Sequence, residues 1–113
     1  VAEIDHELEF LLSLDGQEFR FRGDYRVKLE ARRVKTAAER PAGIKYSLTL
    51  HDPDGHRVYG LDNAHGIRRQ RAYDHRHVYG VRKMAPYEYR GAAMLLEDFY
   101  REVERILEER GVR

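Results

Sequence analysis

The sequence predicts an α+β fold in which a curved antiparallel β-sheet packs against one long C-terminal helix. Three observations carry this expectation. Apolar and polar residues alternate over much of residues 4–61, the pattern of strands with one buried face. Asp52-Pro53-Asp54-Gly55 is a tight turn between two such segments, which makes them antiparallel neighbours. From Ala92 onward the apolar period becomes 3.6. A length of 113 residues suits one domain spanning 1–113.

The first segment is expected to be a strand. Ile4, His6, Leu8, Phe10, Leu12 and Leu14 alternate with Asp5, Glu7, Glu9, Leu11 and Ser13. His6 falls on the apolar side and reads as a structural histidine. Asp15-Gly16 marks a turn. Phe19, Phe21, Tyr25, Val27, Leu29 and Ala31 then continue the alternation against Arg20, Arg22, Arg26, Lys28 and Arg32. This stretch is either one long strand with a bulge at Gly23 or two strands with a turn at Gly23-Asp24. Either way arginines and lysines share the polar face. Residues 37–43 lose the pattern and read as a loop. Ile44, Tyr46, Leu48 and Leu50 alternate with Lys45, Ser47, Thr49 and His51, and Arg57 to Leu61 return as the hairpin partner. His51 and His56 flank the turn as exposed bystanders.

Residues 66–74 have no periodicity. If residues 75–81 are extended, His75, His77 and Tyr79 share one side. Met84-Ala85-Pro86 interrupts, and Tyr87 to Arg90 read as a short edge strand. In the final segment Leu95, Leu96, Phe99, Val103, Ile106 and Leu107 form one apolar stripe. Glu97 with Arg101, and Glu102 with Arg105, have the spacing of helical ion pairs. Gly91 is the expected cap and Gly111 the stop. Such a helix of about 18 residues is roughly 27 Å long and should lie across the sheet.

Composition narrows the function. Charged residues make up 36% and hydrophobic residues 42%, which excludes a disordered chain. No apolar run approaches the ~18 residues of a membrane span. Glu3, Asp5 and Glu7 do not fit the basic flank of a signal peptide, so a cytoplasmic protein is expected. Cysteine is absent, which removes disulfide and thiolate chemistry. No Gly-x-Ser-x-Gly elbow, phosphate-cradling loop or dinucleotide fingerprint occurs, so no organic cofactor is expected. No zinc finger or helix-turn-helix pair is visible, which argues against sequence-specific DNA reading. Net charge is only +1 but is unevenly spread. Arg68, Arg69, Arg71, Arg76, Arg82 and Lys83 face a single acid, Asp74, within residues 68–83. A basic middle between acidic ends can focus a phosphate-bearing ligand.

The chemistry-bearing residues gather in two stretches, Gly60-Leu61-Asp62-Asn63-Ala64-His65-Gly66 and Asp74-His75-Arg76-His77-Val78-Tyr79-Gly80. A His-x-His pair on a strand projects two imidazoles the same way, suited to general acid–base work near neutral pH. Asp62 or Asp74 could orient an imidazole. This set suits metal-independent cleavage of RNA. One of His65, His75 and His77 takes the proton of the ribose 2′-hydroxyl, and another protonates the leaving 5′-oxygen. Arg68 or Arg76 stabilises the charge developing on phosphorus. Tyr79 bonds a phosphate or stacks a base, and Asn63 is a candidate substrate contact. Two alternatives stay open. His65, His75, His77 and Asp62 could ligate a metal, although the helical His-Glu-x-x-His spacing is absent. The same residues could instead form a hydrogen-bonded corner between sheet and loop. Tyr25 and Tyr46 read as structural, whereas Tyr73 and Tyr79 fit either structure or base stacking.

Several blocks together resemble the TumE-type family of prokaryotic toxin–antitoxin proteins. They are Gly43-Ile44-Lys45-Tyr46-Ser47-Leu48-Thr49-Leu50-His51-Asp52, the Asp62-Asn63-Ala64-His65 and Asp74-His75-Arg76-His77 blocks, Ala85-Pro86-Tyr87-Glu88-Tyr89 and Leu95-Leu96-Glu97-Asp98-Phe99-Tyr100. The resemblance runs from about residue 24 to residue 107 and is least distinctive over residues 3–14. Gly91 stands where the family usually has a serine. The resemblance implies a small toxin checked by a cognate antitoxin, often a helix-turn-helix protein. It puts functional weight on Asp62, Asn63, His65, Asp74, His75 and His77. The expectation is an endoribonuclease toxin, the alternative a non-catalytic RNA- or protein-binding module acting within a complex. An edge strand near Tyr87 and the stripe of the final helix offer surfaces for a homodimer.

Overall fold

Sheet neighbours are sequence neighbours throughout. The computed structural model describes residues 4–38, 40–63, 75–78 and 83–113, without the side chains of 75–78 and 83–86. Its elements are α1 (His6–Ser13), β1 (Gln17–Arg20), β2 (Arg26–Arg33), β3 (Ile44–His51), β4 (Arg57–Asp62), β5 (His75–Val78), β6 (Lys83–Pro86) and α2 (Ala92–Glu109). The six strands form one antiparallel meander in the order β1-β2-β3-β4-β5-β6. The α+β architecture with a long C-terminal helix is therefore as predicted.

The alternation in β2 and β3 does what the sequence implies. Val27, Leu29 and Ala31 are buried while Arg26, Lys28, Glu30 and Arg32 are exposed. Tyr46, Leu48 and Leu50 supply the matching positions of β3, and Tyr59 and Leu61 those of β4. Helix α2 lays Ala92, Leu95, Phe99, Val103, Ile106 and Leu107 on this core face, with Leu96 only half-buried. Phe99 stacks on Tyr59 with ring centroids 5.8 Å apart. Tyr25 and Tyr46 are buried structural residues, as expected.

Two strands, not one, occupy residues 17–33. Gly23 and Asp24 both take positive φ, at 65° and 61°, and the Phe21 N–H donates to the Tyr25 carbonyl at 2.6 Å. Two successive left-handed residues make a turn whose twist suits a hairpin, and Gly and Asp tolerate that geometry. Asp15-Gly16 is a turn too: the Gly16 N–H donates to the Leu29 carbonyl at 2.8 Å, and the Asp15 carboxylate accepts from the Ala31 N–H at 2.9 Å.

The first segment is a helix, which corrects the predicted strand. The Asp5 carboxylate caps it by accepting from the Leu8 N–H at 3.0 Å, and Glu7 and Glu9 sit in the acid-favouring first turn. Alternation puts Leu11 among the polar positions and Phe10 among the apolar ones. The helix reverses them, leaving Leu11 fully buried and Phe10 60% exposed. Leu8, Leu11 and Leu12 have i, i+3, i+4 spacing and pack against the core, while His6 is exposed and not structural. An ion pair from Glu9 to Arg33 ties α1 to β2.

The chain's last stretch before α2 also differs from expectation. The edge strand is β6, Lys83–Pro86, and Tyr87 to Arg90 follow it without regular structure. Pro86 is tolerated there because β6 has a partner on one side only. Arg101 pairs with Asp98 at 3.2 Å in place of the expected Glu97, while Arg105 does pair with Glu102. No described helix is long and apolar enough to cross a membrane.

Candidate functional site

Strand β4 brings Asp62 to its end, and the register shows what lies beside it. Asp62 is the cross-strand partner of His75, and Gly60 the partner of His77. On the other side Asp62 pairs with Ser47, which pairs with Glu30. Directly opposed residues of antiparallel strands share a face. One row therefore runs Glu30, Ser47, Asp62, His75, and the next runs Lys28, Thr49, Gly60, His77. Both rows lie on the sheet face opposite α2. His75 and His77 thus share a face with each other and with Asp62 in register. His65, Arg68, Asp74 and Tyr79 lie outside the described residues.

Arg76 alternates with the histidines. Its register partners are Leu61 and Ala85, in the row that carries the core on β2 to β4. This is the alternation expected of an extended segment, whose period is two.

Asn63 is engaged with the backbone rather than standing open to a ligand, as a substrate contact would. It is buried, its Oδ1 accepts from the Tyr46 N–H at 2.9 Å, and its Nδ2 donates to the Ile44 carbonyl at 2.8 Å. The side chain so extends the β3–β4 ladder past its last regular pair and fixes where Asp62 sits. Gly60 also shapes the face. A Cβ there would meet the Leu48 carbonyl oxygen and Thr49 Cγ2, each at 3.3 Å.

A recess of about 250 Å³ opens on this polar face, between β2, β3 and β4. Glu30, Arg32, Lys45, Ser47, Arg57 and Asp62 line it. Sequence reasoning assigned charge to this face but did not find the recess, because closing β2 on β3 and β4 is a tertiary event.

Two further polar clusters are present. Tyr87 donates to Asp98 at 2.6 Å, and Arg90 donates to the same oxygen at 2.9 Å. Burial works to raise the Asp98 carboxyl, but these two hydrogen bonds and the flanking arginines outweigh it and hold it below its ordinary value. Burial and the bond to Asp98 push the Tyr87 hydroxyl up. This cluster ties the segment after β6 to α2, and both residues lay in blocks the sequence had marked. At the 52–55 turn Asp52 accepts from the Asp54 and His56 N–H groups at 3.0 and 2.8 Å. Burial raises the Asp52 carboxyl, but those bonds prevail and lower it. Asp52, Asp54 and His56 hold ligand atoms within 4.8 Å of one another, the one such group found among the described residues. His51 lies 2.9 Å from the Thr49 hydroxyl, and burial lowers its basicity.

The profile of a protein family described as Toxin TumE matches residues 9–107, most of the chain. No curated protein and no solved structure matches it.

Proposed function

The chain belongs to the TumE toxin family, and from that premise we propose that it acts as the toxin of a toxin–antitoxin pair by cleaving RNA through histidine general acid–base catalysis, without a metal. The observation that supports this reading is the β4–β5 register, in which Asp62 pairs with His75 and Gly60 with His77. Two histidines two residues apart share a face with a carboxylate. In the proposed step one imidazole takes the 2′-hydroxyl proton and the freed oxygen attacks phosphorus. The second imidazole protonates the departing 5′-oxygen, leaving a 2′,3′-cyclic phosphate. Asp62 acts as the group that orients the neighbouring imidazole. His65 and Asp74 remain candidates for the second acid or base and its orienting carboxylate. Arg68 takes the role of charge stabiliser, since Arg76 alternates to the other face, and Tyr79 remains a candidate phosphate or base contact. Asn63 is a positioning residue in this scheme.

The partners follow from the reading. A cognate antitoxin, of the helix-turn-helix kind that the family resemblance implies, would check the toxin, and action on RNA puts its work in the cytoplasm. A homodimer draws less support. The face left uncovered by α2 carries exposed Arg26, Lys28, Glu30 and Arg32, not an apolar surface that demands burial.

RNA incubated with the purified chain in EDTA tests the reading. Cleavage should persist in EDTA and fall by about 10²–10⁴-fold in His77→Ala. Binding without turnover would favour a non-catalytic RNA-binding module. Activity lost in EDTA and restored by a divalent ion would favour a metal-dependent site.

A further inference from the structure

We propose that the recess between β2, β3 and β4 binds a backbone phosphate of the RNA strand, away from the phosphodiester that is cut; this rests on the nuclease reading above. Arg32 and Lys45 are direct cross-strand partners, and both side chains are exposed. Like charges placed opposite each other on a sheet cost stability. Neither has an acidic partner among the described residues, whereas Arg20, Arg22, Arg26, Arg33, Arg90 and Arg105 each have one. Two adjacent cations that line a recess and form no ion pair among the described residues are relieved by an external anion. Arg57 adds a third cation to the lining, against the carboxylates of Glu30 and Asp62.

The site's place on the sheet selects the anion. The recess includes Asp62, which is the register partner of His75. Lys45 lies two residues along β3 from Ser47, the partner of Asp62. One step of two residues and two strand spacings put the Lys45 and His75 backbones about 12 Å apart. A short run of one RNA strand spans that distance, so a strand cut beside the histidines can rest a neighbouring phosphate between Arg32 and Lys45. Single phosphates free in solution would gain no such continuity. Glu30 opposes the anion and tunes the affinity downward.

The test uses a labelled single-stranded 2′-O-methyl RNA oligonucleotide, which lacks the attacking hydroxyl and so reports binding whether or not the chain cleaves. Its dissociation constant is measured against salt for the full chain and for the Arg32→Ala/Lys45→Ala variant, with thermal melts confirming that both fold. The variant should bind on the order of tenfold more weakly, and its log–log salt slope should fall by about 1. Glu30→Gln should bind more tightly. On unmodified RNA the double variant should raise KM and leave kcat near that of the parent. An unchanged slope overturns the phosphate site even if cleavage is found. A reduced slope with no cleavage of unmodified RNA upholds the site and removes the nuclease reading. Equal displacement of the oligonucleotide by a poly-glutamate peptide of matched charge would overturn the proposal in favour of an acidic protein partner.

Discussion

Asn63 satisfies two backbone groups of β3 with one buried side chain. Asn63→Ala strands the Tyr46 N–H and the Ile44 carbonyl, and should cost about 2–4 kcal/mol, read from urea unfolding midpoints. Asp98 makes a sharper test because its effect depends on pH. Its folded-state pKa lies below the unfolded value near 4, so the carboxylate stabilises the fold fully above that pH. That contribution disappears as pH falls through the lower folded value. The stability gap between the parent and Asp98→Asn should therefore be clear at pH 7 and shrink progressively as the pH falls below about 4. A gap that widened on acidification would contradict the Tyr87–Asp98–Arg90 geometry. At this scale the sequence marked Asp62, Asn63, His75 and His77 by type and spacing. Only the structure separated Asn63, which holds the backbone, from Asp62, which lies beside His75 in the ladder.

Among the elements, α1 shows where local pattern misleads. Residues 4–14 satisfy a period of two and a helical face at once, because Leu8 and Leu12 serve both. The contact with β2 and α2 decides, since it takes Leu11. Leu11→Ala should destabilise the chain by about 2–5 kcal/mol, and Phe10→Ala by less than about 0.5 kcal/mol. A strand would give the reverse order in the same urea titration. The β1–β2 turn supplies a second test. Gly23→Ala puts a Cβ 2.8 Å from Val112 Cγ1 at a φ of +65°, so a loss of about 1–2 kcal/mol is expected. The β3–β4 hairpin and α2 were legible because Asp-Pro-Asp-Gly and a long apolar stripe each admit one conformation. β6 was not, because Lys83–Pro86 has no alternation and owes its extended form to pairing with β5.

At the scale of the whole molecule α1, the sheet and α2 share one buried cluster that runs from Leu11 through Val27, Leu48 and Tyr59 to Leu107. Elements that share a core unfold together. Tyrosine fluorescence and far-UV circular dichroism should give coincident urea transitions; separate midpoints would mean more than one cooperative unit. The same sharing leaves the opposite face of the sheet to its charges. Arg32, Lys45 and Asp62 meet there because three consecutive strands pair in a register that puts them on one side of the sheet.

The sequence by itself determined the α+β class, the central hairpin, the buried stripe of α2, the family and the two histidine-bearing stretches. Each is written in local periodicity, turn chemistry or motif. Tertiary structure alone decided that residues 6–13 form a helix, that Asp62 stands opposite His75, and that a recess lined by both cations and carboxylates adjoins them. Those facts depend on strand register and on which neighbour takes each apolar side chain, and both are set by packing between segments far apart in the chain.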